Sequence, residues 1–209
     1  MTTNQRTVSV IVGTNRPCGT YLAGALSEAG HAVYTLDPSK YTYRETLDAA
    51  LSVLMSQAAA DLGGIDRLYC DVRALYDYGR ASSFVAGRWM DALDQSLYLC
   101  WRATKCAVPY MKDREHAAIV FITHDDQQYP ASDTVLSAVC GAGIEMMTKM
   151  LASELASSGI RVTCVRADLT AAPEEIGQVA EFLSSPEASY ITGTTFEVGG
   201  FSVKKEVMA

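Results

Sequence analysis

Residues 7–37 read TVSVIVGTNRPCGTYLAGALSEAGHAVYTLD and decide the fold of the chain. The first six, 7–12, are rich in β-branched side chains and predict a buried strand. A glycine-containing turn follows, and the apolar spacing then predicts a helix over about 20–29. Gly30 ends that helix, and the run 31–36 predicts a second strand. Strand, helix and strand in this order predict a βαβ unit with parallel strands.

The rest of the chain repeats this alternation as far as residue 198. Helices are predicted where apolar residues follow a 3.6-residue period, and strands where short β-branched runs lie between them. The predicted strands are 65–70, 117–123, 160–165 and 194–198, and the predicted helices are 44–62, 84–111, 133–157 and 173–183. We therefore predict one domain over residues 1–209, an α/β fold with a doubly wound parallel sheet of six or seven strands.

The composition of the 209 residues is that of an ordinary globular protein, with 49% hydrophobic and 20% charged residues. Seventeen basic and 24 acidic side chains give a formal net charge of −7. No basic cluster offers a nucleic acid the cations that its phosphates need. No apolar run has the length of a membrane span, and the first twelve residues lack the features of a signal peptide. We therefore expect a cytoplasmic protein that binds neither nucleic acid nor membrane.

The six cysteines form no C-x-x-C pair and have no spacing typical of a metal site. Three of them lie within helical patterns that are otherwise apolar, which indicates buried thiols in a reducing compartment. His31 and His116 stand near strand starts, and neither has neighbours in the sequence that suggest a metal centre. We therefore expect no metal.

The turn after the first strand reads Gly13-Thr-Asn-Arg-Pro17-Cys-Gly19, and Asp37 follows the second strand. This is the layout of a dinucleotide site, in which glycines let backbone N–H groups approach a pyrophosphate at a helix N-terminus. The acid would then bind a ribose hydroxyl. Pro17, however, has no N–H and places its ring where the phosphate would come close. A turn that only joins strand to helix is therefore favoured over a nucleotide site.

The spacing of Gly13, Pro17 and Gly19 resembles the G-x-x-x-G-x-G loop of the short-chain dehydrogenase/reductase family. Later motifs fit the same family and follow in order, over a match that runs from about Val8 to Phe201. These motifs are Pro109-Tyr-Met111, Ala152-Ser-Glu154-Leu155, Gly159-Ile-Arg-Val162, Pro173-Glu-Glu-Ile176 and Ile191-Thr-Gly193. The resemblance implies the family's Rossmann-like fold. It also implies the family's chemistry, the reduction or oxidation of a carbonyl/alcohol pair.

The catalytic groups of the family are missing at the positions that the resemblance assigns to them. The family uses a Tyr as acid–base, a Lys that lowers the pKa of this Tyr, a Ser that orients the substrate and an Asn in a proton relay. These four positions fall on Ser137, Gly141, His124 and Ser96, respectively. A serine hydroxyl without a base is a poor proton donor, and a glycine supplies no cation. The resemblance therefore implies a chain without the catalytic tetrad.

Cofactor and substrate segments of the family are also changed or shortened. Its Asn-Asn-Ala-Gly motif is replaced by Cys70-Asp71-Val72-Arg73, and its Pro-Gly by Ala167-Asp168. Only residues 38–43 stand where the family has a helix, a strand and the adenine pocket. Only residues 169–172 stand where it has the substrate lid. Losses at the catalytic groups, the cofactor loop and the lid together are typical of a pseudoenzyme, so we expect no cofactor on this chain.

Residues of the same region suggest two other kinds of catalytic or binding site. The His-Asp-Asp run at 124–126 beside Ser137 suggests a Ser–His–Asp hydrolase, but Ser137 lies in a helical pattern rather than on a strand-to-helix turn. Tyr129 would replace the lost tyrosine only through a rebuilt loop, and Arg73 would fill the vacated cofactor pocket. A polar loop and a solvated arginine are the favoured interpretations.

The predicted helix 133–157 has two apolar stripes, whereas a surface helix needs only one. The first would face the sheet; the second predicts a partner and consists of Val139, Ala142, Met146, Met150 and Ser153. A comparable stripe on helix 84–111, flanked by Tyr98 and Trp101, consists of Leu93, Leu97, Cys100, Thr104, Ala107 and Met111. In the family these two helices pair across a two-fold axis into a four-helix bundle. The expected interface residues are therefore Leu93, Leu97, Trp101, Val139, Ala142, Met146 and Met150; the alternative is that both stripes are covered within one chain.

These observations favour a non-catalytic subunit of a hetero-oligomer. The expected partner is a homologous catalytic subunit that binds NAD and oxidises an alcohol or a 3-hydroxyacyl-CoA, in a heterotetramer. The first alternative is a free-standing nucleotide-sensing or regulatory protein on the same fold. The second is an active reductase with a rebuilt site.

Overall fold

The computed structural model describes residues 6–72, 80–124, 134–168 and 170–199. Its strands are β1 Val8–Val12, β2 Ala32–Leu36, β3 Arg67–Asp71, β4 Ala118–His124, β5 Arg161–Ala167 and β6 Thr195–Val198. Its helices are α1 Pro17–Glu28, α2 Arg44–Leu62, α3 Ala86–Leu93, α4 Leu99–Met111, α5 Val135–Leu155 and α6 Pro173–Ser184. The six strands form one parallel sheet in the order β2-β1-β3-β4-β5-β6. The predicted doubly wound α/β fold is confirmed.

Helices cover both faces of this sheet, as expected for crossovers between parallel strands. On one face α2, α4 and α5 enclose the larger apolar core, which contains Phe121 and Ile144. On the other face α1 and α6 enclose a second core, which contains Tyr69 and Leu22. All five residues of β1 are buried, because this strand lies between both helical layers. The covered position of β1 accounts for its four apolar, β-branched residues. The fifth residue, Ser9, is also buried, and its hydroxyl lies 2.9 Å from Nδ1 of His31.

Most predicted boundaries hold within two or three residues. α1 begins at Pro17 instead of residue 20, because proline suits the first helical position, where no N–H is needed. The predicted helix 84–111 is divided into α3 and α4 by a π-helical segment, Asp94–Tyr98. The predicted helix 133–157 corresponds to α5 and a 3₁₀ turn, Ala156–Ser158; its first residue lies outside the described residues.

Two connections at the carboxyl edge of the sheet are short. Between β2 and α2 the chain forms one 3₁₀ turn, Pro38–Lys40. Between β5 and α6 lie only residues 168–172, of which Leu169 is outside the described part of the chain. β2 is an edge strand of the sheet. Any site near β1 and β2 is therefore built from the nearest turns and helices alone.

α5 is long and apolar enough, by length and composition only, to cross a membrane. Its contacts give a different reason for this composition. The helix packs on β4 and β5, and its buried side includes Ile144, Thr148, Ala152 and Leu155. The core helix of a sheet protein has the same apolar character, so packing on the sheet accounts for the apolar residues on the buried side of α5.

Candidate functional site

The carboxyl ends of β1, β2 and β3 bring Gly13, Asp37 and Asp71 to one edge of the sheet. Ligands of open parallel α/β sheets bind outside the carboxyl ends of the strands, where the strand order reverses. This reversal occurs at β1, because β2 lies on one side of it and β3 on the other. The turn between β1 and α1 therefore lies where a nucleotide loop would be.

Contacts within the chain explain both glycines of this turn. Gly13 has a φ of +109°, and a Cβ atom added to it would lie 2.3 Å from the backbone oxygen of Asp71. A Cβ atom added to Gly19 would lie 2.4 Å from the backbone oxygen of Gly13. Real Cβ atoms do not approach other atoms so closely. Both residues must therefore be glycine for the turn to fit between β3 and α1, whether or not a ligand binds.

The N-terminus of α1 faces a carboxylate of the chain itself. Pro17 is the first residue of this helix and has no N–H to offer. The N–H of Gly19, two residues later, donates to the carboxylate oxygen Oδ2 of Asp71 at 3.2 Å. Asp71 is fully buried at the end of β3. The positive end of the helix dipole favours a negative group at this place.

Asp37 lies after β2 as predicted, but its carboxylate bonds within its own turn. Its Oδ1 accepts from the N–H of Ser39 at 2.9 Å and from the Ser39 hydroxyl at 2.6 Å. The ammonium group of Lys40 lies 3.9 Å from Oδ2. Asp37 is thus the N-cap of the 3₁₀ turn. This local role was not predicted from the sequence.

The positions that the resemblance assigns to catalytic groups hold bonded hydroxyls or no side chain. Ser96, in the π-helical segment, is fully buried and its hydroxyl donates to the backbone oxygen of Ala92 at 2.6 Å. Ser137 is buried on α5 and its hydroxyl donates to the backbone oxygen of Thr134 at 3.0 Å. Gly141 lies one turn further along α5. Outside the described residues lie the side chain of His124 and the whole of Arg73, Asp125, Asp126, Tyr129 and Asp133.

A third apolar cluster lies beside these positions. Its buried members are Ala92, Leu136 and Cys140, and partly buried Phe84, Trp89 and Leu93 pack against them. Leu136 and Cys140 flank Ser137 on α5, and the Cys140 sulfur lies 3.9 Å from the same Ala92 oxygen that accepts from Ser96. Apolar side chains of the chain itself therefore surround this part of α5.

A cavity of about 270 Å³ opens at the same sheet edge, beside the turn after β1. One of its walls is a polar network on α2 and the π-helical segment. Arg44 forms a bidentate ion pair with Asp94, and its guanidinium lies 4.6 Å from the ring centroid of Tyr98. The Tyr98 hydroxyl donates to Asp48 at 2.8 Å. Burial and this hydrogen bond raise the pKa of Tyr98, so its phenol is protonated near neutral pH.

This cavity was not predicted from the sequence. Its walls come from three separate segments: residues 15–16 after β1, residues 38–47 around the start of α2, and residues 91–99, which run from α3 through the π-helical segment to the first residue of α4. No short motif joins these segments, and the π-helical segment alters which side chains of the predicted helix 84–111 face them. The one sequence signal for this cavity is the opposite charge of Arg44 and Asp94, which form an ion pair. This signal can be interpreted only once α2 is known to pack on α4.

Comparison with known proteins gives the family. A family model described as enoyl-(acyl carrier protein) reductase matches residues 46–173, more than half of the chain. The 3-oxoacyl-[acyl-carrier-protein] reductase FabG of Vibrio cholerae is 25% identical, over 92% of this chain and 96% of its own length. The chain belongs to the short-chain dehydrogenase/reductase (SDR) family. The match to the family model begins after the turn 13–19 and β2, so the nucleotide-loop segment of this SDR chain lies outside it.

Solved SDR structures have the same fold. A short-chain dehydrogenase/reductase from Serratia marcescens is 22% identical, with a TM-score of 0.81 over 94% of this chain and 97% of its own. The 3-ketoacyl-(acyl-carrier-protein) reductase from Brucella melitensis, complexed with NADH, is 18% identical, with a TM-score of 0.85 over 93% of this chain and 97% of its own. At these identities the likeness shows the shared fold alone.

The second apolar stripe of α5 lies on the surface of this SDR chain. Val139, Met146 and Met150 are 43%, 56% and 62% exposed, and Ala142 between them is exposed as well. Trp101 of α4 is 43% exposed, and the Lys105 ammonium lies 5.0 Å from its ring centroid. α4 and α5 thus present apolar side chains to the outside, and their place in an interface stays a prediction.

The prediction of a comparable outward stripe on helix 84–111 is wrong. Four of its members are buried, and three of these, Cys100, Ala107 and Met111, belong to the larger core. The fourth is the polar residue Thr104. Leu97 is partly buried and lies against Gly143 of α5, and Leu93 belongs to the third apolar cluster. The stripe is apolar because it faces the sheet and α5, which the spacing alone does not distinguish from facing a partner.

Proposed function

We propose that this chain is a non-catalytic subunit of an SDR-type dehydrogenase complex. The observation that carries the proposal is the bonding of the two hydroxyls at the tetrad positions. Ser96 and Ser137 each donate their proton to a carbonyl of the same or the preceding helical turn, and Gly141 provides no cation. A dehydrogenase needs a group that exchanges a proton with the substrate oxygen. Among the described residues at these positions, no side chain can do so.

The residues at the turn after β1 do not fit a dinucleotide pyrophosphate. Pro17 offers no N–H, and the Gly19 N–H already donates to Asp71. The Asp71 carboxylate would also lie beside the phosphates, whose charge has the same sign. In our proposal, NAD therefore binds to the active partner and this chain binds no cofactor.

The exposed stripe on α5 supports a protein partner of the same family. Contiguous exposed apolar side chains such as Met146 and Met150 mark interaction sites on soluble proteins. A closed two-fold arrangement of two copies of each chain gives a heterotetramer. The homologous catalytic subunit would then oxidise an alcohol or a 3-hydroxyacyl-CoA with NAD, while this chain stabilises or completes it.

The pathway is proposed from a resemblance alone. In size and in the extent of its losses, the chain resembles the inactive subunit of 2-[hydroxy(phenyl)methyl]succinyl-CoA dehydrogenase, of anaerobic toluene degradation. We therefore propose that the complex acts in the cytoplasm, in the β-oxidation-like degradation of an aromatic compound. An assay of the purified complex with NAD and acyl-CoA alcohols, compared with simple alcohols, tests this point separately.

The test of the subunit proposal is co-expression with an SDR protein of the same genome that retains the catalytic Tyr and Lys. Size-exclusion chromatography with light scattering should show a two-plus-two tetramer. Met146→Glu should abolish the complex, because it buries a charge in an apolar interface. Val53→Glu on α2, which changes an apolar residue of 62% exposure away from the stripe, is the control and should leave the tetramer intact.

Two outcomes contradict this proposal. One is a wild-type chain that elutes as a monomer beside every such relative; the other is a complex that Met146→Glu leaves unchanged. Calorimetric titration of the isolated chain adds a separate criterion. A dissociation constant for NAD(H) or NADP(H) in the low micromolar range would show that a cofactor site persists.

The cavity beside the turn after β1 favours a second candidate, a ligand-sensing protein on the SDR fold. Its volume of about 270 Å³ is slightly below the roughly 300–1,000 Å³ usual for small-molecule sites, so it suits a ligand smaller than a dinucleotide. Thermal unfolding with adenosine, AMP and NAD tests this candidate. A midpoint raised by one of them in the wild type, and not in Arg44→Met, would favour sensing over the subunit role.

A further inference from the structure

We propose that the Asp71 carboxylate is an internal anion, which occupies the N-terminus of α1 and excludes phosphate groups from it. This inference rests on the proposed function and gives a physical reason for the missing cofactor. Its observation is the hydrogen bond of 3.2 Å between the Gly19 N–H and Asp71 Oδ2. Asp71 is fully buried, so this carboxylate lies inside the fold, against the first turn of the helix that follows the predicted nucleotide loop.

The helix end offers few backbone donors. The first N–H groups of a helix have no partner within the helix, and together they act as a partial positive charge of roughly half an elementary charge. In α1 the first of these donors is absent, because the residue is Pro17. The third, at Gly19, donates to Asp71. A phosphate at this end would therefore have to displace Asp71 to obtain the Gly19 donor.

The backbone fixes the place of the carboxylate. Asp71 is the last residue of β3 and lies opposite Ile122 of β4, and the next N–H along the chain donates to the Ile122 oxygen at 3.1 Å. On the other side, the backbone oxygen of Asp71 lies against Gly13, whose missing Cβ makes room for it. Sheet pairing and the tight turn thus hold Asp71 on both sides. The backbone of Asp71 therefore cannot leave the helix end without breaking the end of β3.

Exclusion follows from this arrangement by two physical effects. The Gly19 N–H donates to Asp71 or to a phosphate, but one donor does not serve both well. In addition, a phosphate that reached this N–H would lie within about 4–6 Å of the carboxylate, where like charges near a protein surface repel strongly. Pro17 removes a donor, whereas Asp71 adds a repulsion. We therefore expect Asp71 to weaken phosphate binding more than Pro17 does.

The test follows the Gly19 amide signal by NMR while inorganic phosphate is added. In the wild type, the signal should not show a saturable shift at millimolar phosphate. Asp71→Asn keeps an acceptor oxygen and removes the charge. In this variant a saturable shift should appear, with a midpoint at least roughly tenfold below the highest phosphate concentration at which the wild type shows no saturation. Asp71→Ser is the second variant, in case the first does not fold. Pro17→Gly alone should increase the affinity for phosphate less than either Asp71 variant does.

Asp37→Asn is the matched control, because it removes a negative charge at the same sheet edge from a carboxylate that bonds within its own turn. It should leave the response to phosphate unchanged. A saturable Gly19 shift in the wild type would overturn the inference. A folded Asp71 variant whose affinity for phosphate does not increase would also overturn it. In the second case the chain still binds no dinucleotide, so the subunit proposal stands. Micromolar NAD binding by the wild type would instead remove the subunit proposal itself.

Discussion

Alanine at two glycines of α1 should have opposite effects on stability. Gly19 and Gly24 lie five residues apart in the same helix, so both substitutions bring the same gain in helix propensity, about 0.5–1 kcal/mol. At Gly24 a Cβ atom would have no heavy atom within 4 Å, so Gly24→Ala should raise the free energy of unfolding by about that amount. At Gly19 it would lie 2.4 Å from the backbone oxygen of Gly13.

The overlap at Gly19 cannot be relieved by a side-chain rotation, because the opposing atom belongs to the backbone. Overpacking in a dense region costs about 1–3 kcal/mol. Gly19→Ala should therefore lower the free energy of unfolding, and the two variants should differ by about 1–3 kcal/mol, because their equal gains in helix propensity cancel. Urea denaturation followed by circular dichroism, without any nucleotide, measures this difference. Equal stability of the two variants would refute the reasoning that Gly19 is required by the packing of the turn.

Three further outcomes are expected. Arg161→Lys should lower the free energy of unfolding in urea by about 2–3 kcal/mol, because the buried guanidinium donates to three backbone oxygens beyond β5 and a lysine cannot reach all of them. The free energy of unfolding in urea should fall as the pH drops below about 6.5, and it should fall less in His31→Gln. Burial above all lowers the pKa of His31 in the folded chain, so the unfolded chain takes up the proton first. The double variant Ser137→Tyr, Gly141→Lys should not reduce carbonyl substrates with NADH or NADPH, since catalytic groups act only on positioned reactants; turnover above that of the wild type would show that the tetrad alone was lost.

Much of the fold could be predicted because local patterns and tertiary packing agree. The β-branched run of β1 is buried on both sides in the structure, and the glycine at 63 ends α2 where the periodicity ends. The boundary of α1 was missed because the spacing of apolar residues does not register a proline at the first helical position. The π-helical segment was missed because the apolar residues of 84–111 continue through it.

The candidate site was less predictable, because it depends on neighbours in space. The hydrogen bond between Asp71 and Gly19 forms because β3 lies beside β1. No motif near residue 71 in the sequence indicates this contact. The stripe that ends at Met111 was assigned to a partner because an amphipathic pattern shows that a face is apolar, and not what covers it. The stripe containing Met146 has the same pattern and is exposed.

The turn after β1 shows why a shared glycine motif is poor support for a shared ligand. The first and last glycines of the motif meet steric demands from β3 and from the turn itself, demands that exist whether or not a nucleotide binds. The middle glycine of a dinucleotide loop meets a demand from the pyrophosphate, which needs the backbone to come close. A chain that no longer binds the ligand should therefore keep Gly13 and Gly19 and change the middle residue. Pro17 stands at this middle position, and at the first position of a helix a proline is well tolerated. In a diverged SDR chain, the residue in the middle of the loop and the charge at the end of β3 thus reveal more about cofactor binding than the glycines that remain.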